Sequence, residues 1–147
     1  MSTATASAAT CQHAVCLALA LRLVAKHESR ADFDQIFAST VDRYKPVDQD
    51  EWFLIETLLT DLWHLRRVES AKRDLLAMAH LPANTKDIDR ALDQYLAEMP
   101  SSPLVKAFRR LRGMERKCAH SARHVHRQIQ LLQAARFMEG SGPAAKD

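Results

Sequence analysis

The residues best suited to chemistry in this sequence are a row of cations in its last third. Between Lys106 and Arg127 there are eight Lys or Arg and one acid. Most of them recur at steps of three, four and seven residues, so a helix would carry them on one face. A row of this kind could hold the phosphates of DNA or RNA, because each ion pair releases condensed counterions. The residues predicted to bind nucleic acid are Lys106, Arg109, Arg110, Arg116, Lys117, Arg123 and Arg127.

The alternative is a solvated helix face that acidic residues of the chain partly neutralise. Residues 28 to 61 hold nine acids against three bases, whereas residues 104 to 147 hold ten bases against three acids. The two segments should therefore attract each other. Aromatic side chains for stacking single-stranded bases are absent from the row, because Phe108 falls in the apolar pattern of the same stretch.

A histidine pair lies within the cationic row. His120 and His124 are four residues apart, which places both on one helical face, and His126 is near them. The pair lacks the Glu of a zinc-protease motif, and Lys117 and Arg123 beside it would repel a metal ion. A structural or surface role is the favoured interpretation, and no metal is predicted.

The cysteines also give little indication of a site. Cys11, His13 and Cys16 form a short cluster without a fourth ligand, so it does not predict zinc. The three cysteines of the chain, with Cys118 as the third, are an odd count and lack the spacing of a disulfide framework.

The apolar run from Ala14 to Leu21 is only eight residues long, too short for a membrane span. We expect a reducing, cytoplasmic location and no membrane partner.

Motifs for catalysis are missing. The sequence has no Gly-x-Ser-x-Gly turn, no glycine-rich phosphate loop and no pair of Glu-x-x-His motifs for a di-iron bundle. We therefore predict that the protein is not an enzyme and that it uses no cofactor, and the sequence identifies no small-molecule substrate.

The composition favours helices throughout. Only three Gly and five Pro occur in 147 residues, and Ala, Leu and charged residues dominate. The predicted fold is an all-α helical bundle, with a disordered leader at 1–10, a single helical domain at 11–138 and a disordered tail at 139–147. The predicted helices are Cys11–His27, Arg30–Tyr44, Asp50–His80, a short one capped by Thr85 or Asp87, and Pro103–Phe137.

The two longest predicted helices both carry apolar residues at alternating steps of three and four. Residues 50–80 and 103–137 should therefore fold back on each other as a long antiparallel hairpin, with the shorter helices covering it. Polar residues interrupt this seam at Glu69, Lys72 and Glu115, so the pairing predicts a polar layer there. The alternative is that these long side chains reach solvent at the edge of the hairpin.

Five segments carry a resemblance to a known family: HESRADFDQIF, Tyr44-Lys45-Pro46-Val47, FLIETLLTDLWHLRRVES, LRGMERK and VHRQIQLLQAAR. Together they resemble a multi-copy family of uncharacterised bacterial helical proteins. That family has a Trp, a paired Arg and two Glu, and the matching residues here are Trp63, Arg66, Arg67, Glu69 and Glu115. The family's basic Gly-Pro-Lys-Thr leader is absent here. Gly113 and Met114 replace the Arg and Tyr that precede the second Glu.

This resemblance implies a helical fold and a bacterial source, but no mechanism. Two function classes therefore remain open. The first is a non-catalytic helical protein that binds nucleic acid through the last helix. The second is a structural or oligomeric module whose coiled-coil-like hairpin pairs with a second copy to form a homodimer.

Overall fold

The fold is entirely helical in the part of the chain that the computed structural model describes, residues 3–82 and 86–140. That part contains five α-helices and no strand. The helices are α1 (Thr3–Leu23), α2 (Arg30–Tyr44), α3 (Gln49–Met78), α4 (Ile88–Glu98) and α5 (Leu104–Gly140). The predicted all-α class is confirmed. None of the described helices is both long and apolar enough to cross a membrane.

Helix α2 begins and ends where the sequence predicts. The Ser29 side chain accepts a hydrogen bond from the backbone N–H of Asp32 at 3.2 Å, which caps the first turn. At the other end Lys45 adopts a left-handed conformation with φ 45°, and its N–H donates to the carbonyl of Val41. Lys45 precedes Pro46, and the residue before a proline is disfavoured in right-handed helical geometry.

Helix α1 differs from its predicted bounds at both ends. It begins at Thr3, within the segment predicted as a disordered leader, and its many alanines favour helix without tertiary support. It ends at Leu23 instead of His27. A tight turn follows, in which the Ala25 N–H donates to the Glu28 carboxylate at 2.7 Å and the Glu28 N–H to the Ala25 carbonyl at 2.9 Å.

The ends of the later helices follow from local hydrogen bonds. Helix α3 stops at Met78 because His80 is left-handed (φ 55°), and the N–H groups of His80 and Leu81 bond back to the last turn. Asp87 caps α4 through the Arg90 N–H. Thr85, the other predicted cap, lies outside the described residues, as do residues 1–2 and 141–147 of the predicted leader and tail.

The chain divides into two compact units. Unit 1 comprises the described residues of Met1–Trp63 and Ala122–Asp147, and unit 2 comprises those of His64–Ser121. Helices α3 and α5 therefore contribute residues to both units. The single domain over 11–138 and the long hairpin of 50–80 with 103–137 stay predictions.

Unit 1 is built around buried aromatic and aliphatic side chains of α2, α3 and α5. The ring of Phe33 meets Trp63 edge to face, with centroids 5.4 Å apart. Ile55, Leu59 and Ile129 are fully buried beside them. The first helix joins this core through Leu19 and Ala20.

Unit 2 has a smaller core that draws on α3, α4 and α5. Its buried members are Leu75, Leu76, Leu92 and Phe108. Leu92 is the one buried residue of the short helix α4, so that helix is held by a narrow apolar stripe. Packing of Phe108 inward turns the opposite side of α5 toward solvent.

Candidate nucleic-acid interface

The basic face of α5 consists of the seven residues predicted to bind nucleic acid, and every one of them is exposed. Five belong to unit 2: Lys106, Arg109, Arg110, Arg116 and Lys117. Helical periodicity explains the exposure of Lys106 and Arg110, because the buried Phe108 occupies the other side of the same turns.

In unit 1 the basic face continues with two residues. Arg123 and Arg127 are exposed, whereas Val125 and Ile129 of the same turns are buried in the core. Apolar and basic positions thus alternate along α5 as an amphipathic helix requires.

Within the described residues, no member of the basic face forms an ion pair. Two acids of residues 28 to 61 form ion pairs with other residues of unit 1. Asp34 accepts from Arg30 at 2.7 Å, and the buried Glu51 accepts from Arg136 at 2.9 Å. The second oxygen of Glu51 accepts from the Val47 N–H at 2.9 Å. Neutralisation of the basic face by the acids of residues 28 to 61 stays a prediction, because those acids belong to unit 1 and five of the seven basic residues to unit 2.

Aromatic rings are not part of the basic face. Phe108 is buried in the core of unit 2, as its place in the apolar pattern predicts. The guanidinium of Arg112 lies 5.0 Å from the centre of the Phe108 ring and also donates to Asp93 at 2.8 Å. Arg112 is thus engaged inside unit 2 and does not extend the basic face.

The predicted polar layer is centred on Lys72 in unit 2. Lys72 is only 3% exposed, and its Nζ donates to Glu115 at 2.7 Å and to Asp89 at 2.8 Å. Burial lowers the pKa of Lys72, but hydrogen bonds and charges from the two carboxylates outweigh it, so the pKa lies above the ordinary value. Glu69 is not in contact with Lys72; its carboxylate accepts from Arg73 at 2.7 Å on the exposed surface.

The histidines do not converge on one centre. His120 and His124 are exposed, whereas His126 shares a 2.6 Å hydrogen bond with the Tyr44 hydroxyl in unit 1. The two rings meet edge to face with centroids 5.6 Å apart. Gln133 strengthens this contact by donating to the Tyr44 carbonyl at 2.6 Å. His126 therefore joins α5 to α2 within unit 1.

One cysteine has a defined environment. The Cys16 thiol donates to the Asp34 carboxylate at 3.5 Å, and Arg30 donates to the same oxygen. Burial raises the pKa of Cys16, and the hydrogen bond and charge of Asp34 raise it further against a smaller opposing effect of Arg30, which favours the protonated thiol. No group of three or more His, Cys, Asp or Glu able to hold a metal occurs among the described side chains.

The residues that carry the family resemblance have separate surroundings. Trp63 is a core residue of unit 1, packed against Phe33. Gly113 and Met114 are both exposed on α5. Glu115 alone among these positions contacts the buried Lys72. Trp63 is therefore a core residue and Glu115 an ion-paired residue, whereas Gly113 and Met114 are surface residues.

Sequence reasoning missed Asp89 as a partner of Lys72. A weak signal exists, because Asp89 lies one helical turn before the buried Leu92 and so begins the side of α4 that packs inward.

No protein-family model, curated protein or solved structure matches this chain. The resemblance to a bacterial helical family stays a prediction.

Proposed function

We propose that this protein is a non-catalytic helical protein that binds nucleic acid through the basic face of α5. One observation carries the proposal: seven exposed Lys and Arg on one helix form no ion pair with any described residue. Cations left without protein partners favour a polyanion, since binding releases the counterions that the polyanion had condensed.

The spacing within unit 2 suits a phosphate backbone. Lys106 and Lys117 are eleven residues apart on one helix, which is about 17 Å at the rise of an α-helix. Five cations over that length can each approach a phosphate of a duplex, which carries about one charge per 1.7 Å of its axis. Contacts of this type fix position without reading sequence.

The chemistry favours a duplex over a single strand. Single-stranded nucleic acid is bound mainly by stacking bases on aromatic rings. The basic face has none, because Phe108 is buried. We therefore expect binding that depends weakly on sequence and is tighter for double-stranded than for single-stranded nucleic acid of equal length.

The test is fluorescence anisotropy of labelled duplex DNA and single-stranded RNA, titrated with protein from about 50 to 200 mM salt. The test variant carries Arg109→Glu, Arg116→Glu and Arg123→Glu. We expect the wild type to bind with a steep salt dependence and the variant to lose binding at every salt concentration. Replacing the same three arginines by Lys should retain most of the affinity, because the charge remains.

A matched control separates the basic face from net charge. Lys26, Lys86 and Arg90 are exposed and lie outside α5, so reversing all three changes the net charge by the same amount. We expect this control to keep most of the binding. Equal losses in the two triple variants, or no binding by the wild type at about 50 mM salt, would reject the proposal.

A further inference from the structure

Helix α1 buries one side in unit 1 and leaves a second apolar side uncovered. Leu19 and Ala20 are buried, whereas Leu17 and Leu21 are 44% and 77% exposed. Arg22 is the one charged Lys, Arg, Asp or Glu residue in the whole helix. A surface helix normally carries polar residues on the side opposite its buried face. An exposed apolar face such as this one is therefore typical of a surface that binds a partner.

A groove runs beside the exposed face. It encloses about 300 Å³ and is lined by Ala14, Val15, Ala18, Leu19, Arg22 and Glu56. Glu56 comes from α3, so the groove lies between α1 and α3 within unit 1. Its walls are aliphatic except for these two opposite charges.

Arg22 and Glu56 line one groove without pairing with each other. Neither forms an ion pair with any described residue. A surface that carries an unpaired cation and an unpaired anion together is complementary to a copy of itself. A twofold dimer requires that property, since the same patch contributes both sides of the interface.

We propose that this face of α1 and its groove form the interface of a homodimer, occupied by α1 of a second copy in antiparallel orientation. The apolar positions are Ala14, Leu17, Ala18 and Leu21. Antiparallel pairing of that order with itself sets Ala14 opposite Leu21 and Leu17 opposite Ala18. Each leucine then meets an alanine, so large side chains fit against small ones and the two helices approach closely.

The charges follow the same symmetry. Antiparallel pairing brings Arg22 of one copy alongside the groove of the other copy, which Glu56 lines. Two equivalent ion pairs form across the twofold axis, from Arg22 of each copy to Glu56 of the other. Their contribution is mainly to fix the orientation, because the leucines supply most of the buried apolar surface.

Sedimentation of the full chain without nucleic acid tests the dimer independently of the proposed function. We expect the wild type to pass from monomer to dimer as its concentration rises, and Leu21→Arg to remain monomeric. Leu21 is exposed, so its replacement should leave the helical signal in circular dichroism unchanged. Met78→Arg is the matched control, because Met78 is 64% exposed but belongs to unit 2; it should still dimerise.

A charge exchange tests the antiparallel arrangement. Arg22→Glu and Glu56→Arg should each weaken the dimer several-fold, because like charges then face each other. The double variant restores opposite charges and should recover wild-type dimerisation. The proposal is overturned if the wild type is monomeric at all concentrations, if Leu21→Arg still dimerises, or if the double variant stays as weak as the single ones.

Discussion

Lys72 shows how a single buried charge can be held in a small core. Its ammonium is withdrawn from solvent, but its partners Asp89 and Glu115 keep 47% and 38% of their side-chain surface exposed. The energetic consequence is asymmetric. Removing the carboxylates leaves a buried cation without partners, whereas removing the cation leaves two carboxylates that water can still solvate.

We predict that Asp89→Ala with Glu115→Ala lowers the free energy of unfolding by about 3 to 5 kcal/mol. Lys72→Met should change it by only about 1 kcal/mol, because an apolar side chain suits the buried position. Urea denaturation followed by circular dichroism measures both values. A larger loss for Lys72→Met than for the double variant would contradict this account.

The pH dependence of this difference has a definite sign. The pKa of Lys72 in the folded chain is raised above its ordinary value of 10.5. Its contribution is therefore complete below that ordinary value and is lost as the pH rises through the raised, folded pKa. The wild type should keep a constant stability relative to Lys72→Met near neutral pH and lose ground only in strongly alkaline solution.

The contact between Lys72 and Glu115 could be predicted from sequence, but its surroundings could not. Both residues interrupt an apolar seam, so helical periodicity places them on the packed side of their helices. Glu69 interrupts the same seam, yet it pairs with Arg73, which is four residues along the same helix. Asp89 comes from another helix, α4, and spacing inside one helix cannot fix the register of another.

At the scale of elements, α5 continues through a residue that opposes helix formation. Gly113 lies near the middle of this helix, and a side chain there would point into open space. Glycine gains nothing from packing at this position and retains its large entropy in the unfolded chain. The helix thus forms because it is anchored on both sides of Gly113, by Phe108 before it and by Val125 and Ile129 further along.

We predict that Gly113→Ala raises the free energy of unfolding by about 0.5 to 1 kcal/mol. A methyl group at this position meets no atom within 4 Å, so no clash offsets the gain. Thermal denaturation of the variant and the wild type at equal concentration measures the change. Destabilisation by this substitution would show that the glycine has a packing or conformational role.

Helix boundaries could be predicted wherever a side chain marks them. Ser29 and the Lys45-Pro46 pair define α2 at both ends, and the structure follows them. The start of α1 could not be read from sequence, because residues 1 to 10 contain no charge and offer several Ser and Thr as equivalent caps. Their small side chains are typical of helices and disordered segments alike. Alanine propensity favours the helix there.

At the scale of the whole molecule, the apolar pattern contains no mark of the division into two compact units. The division falls after Trp63 in α3 and before Ala122 in α5, inside continuous helices. The apolar periodicity of a helix is a local property and continues through the division inside α3 and α5. The sequence alone therefore predicted a single domain. It also predicted that the basic residues share one face of α5, whereas their exposure in each unit required the structure.

The proposed homodimer makes thermal stability depend on concentration. A partner that binds only the folded chain stabilises it by mass action. We therefore expect the melting temperature of the wild type to rise with protein concentration and that of Leu21→Arg to stay constant. Differential scanning calorimetry over a concentration series measures both, and a wild-type melting temperature independent of concentration would count against self-association through α1.

The placement of the aromatic core has an optical consequence. Both tryptophans of the chain, Trp52 and Trp63, belong to unit 1, and Trp63 is buried against Phe33. Intrinsic fluorescence excited at the indole band therefore reports the loosening of unit 1 alone, while far-ultraviolet dichroism sums over every helix. Superimposable melting curves from the two signals would mean that both units unfold in one cooperative step. Separated curves would make the indole emission a selective probe of the unit that contains α1.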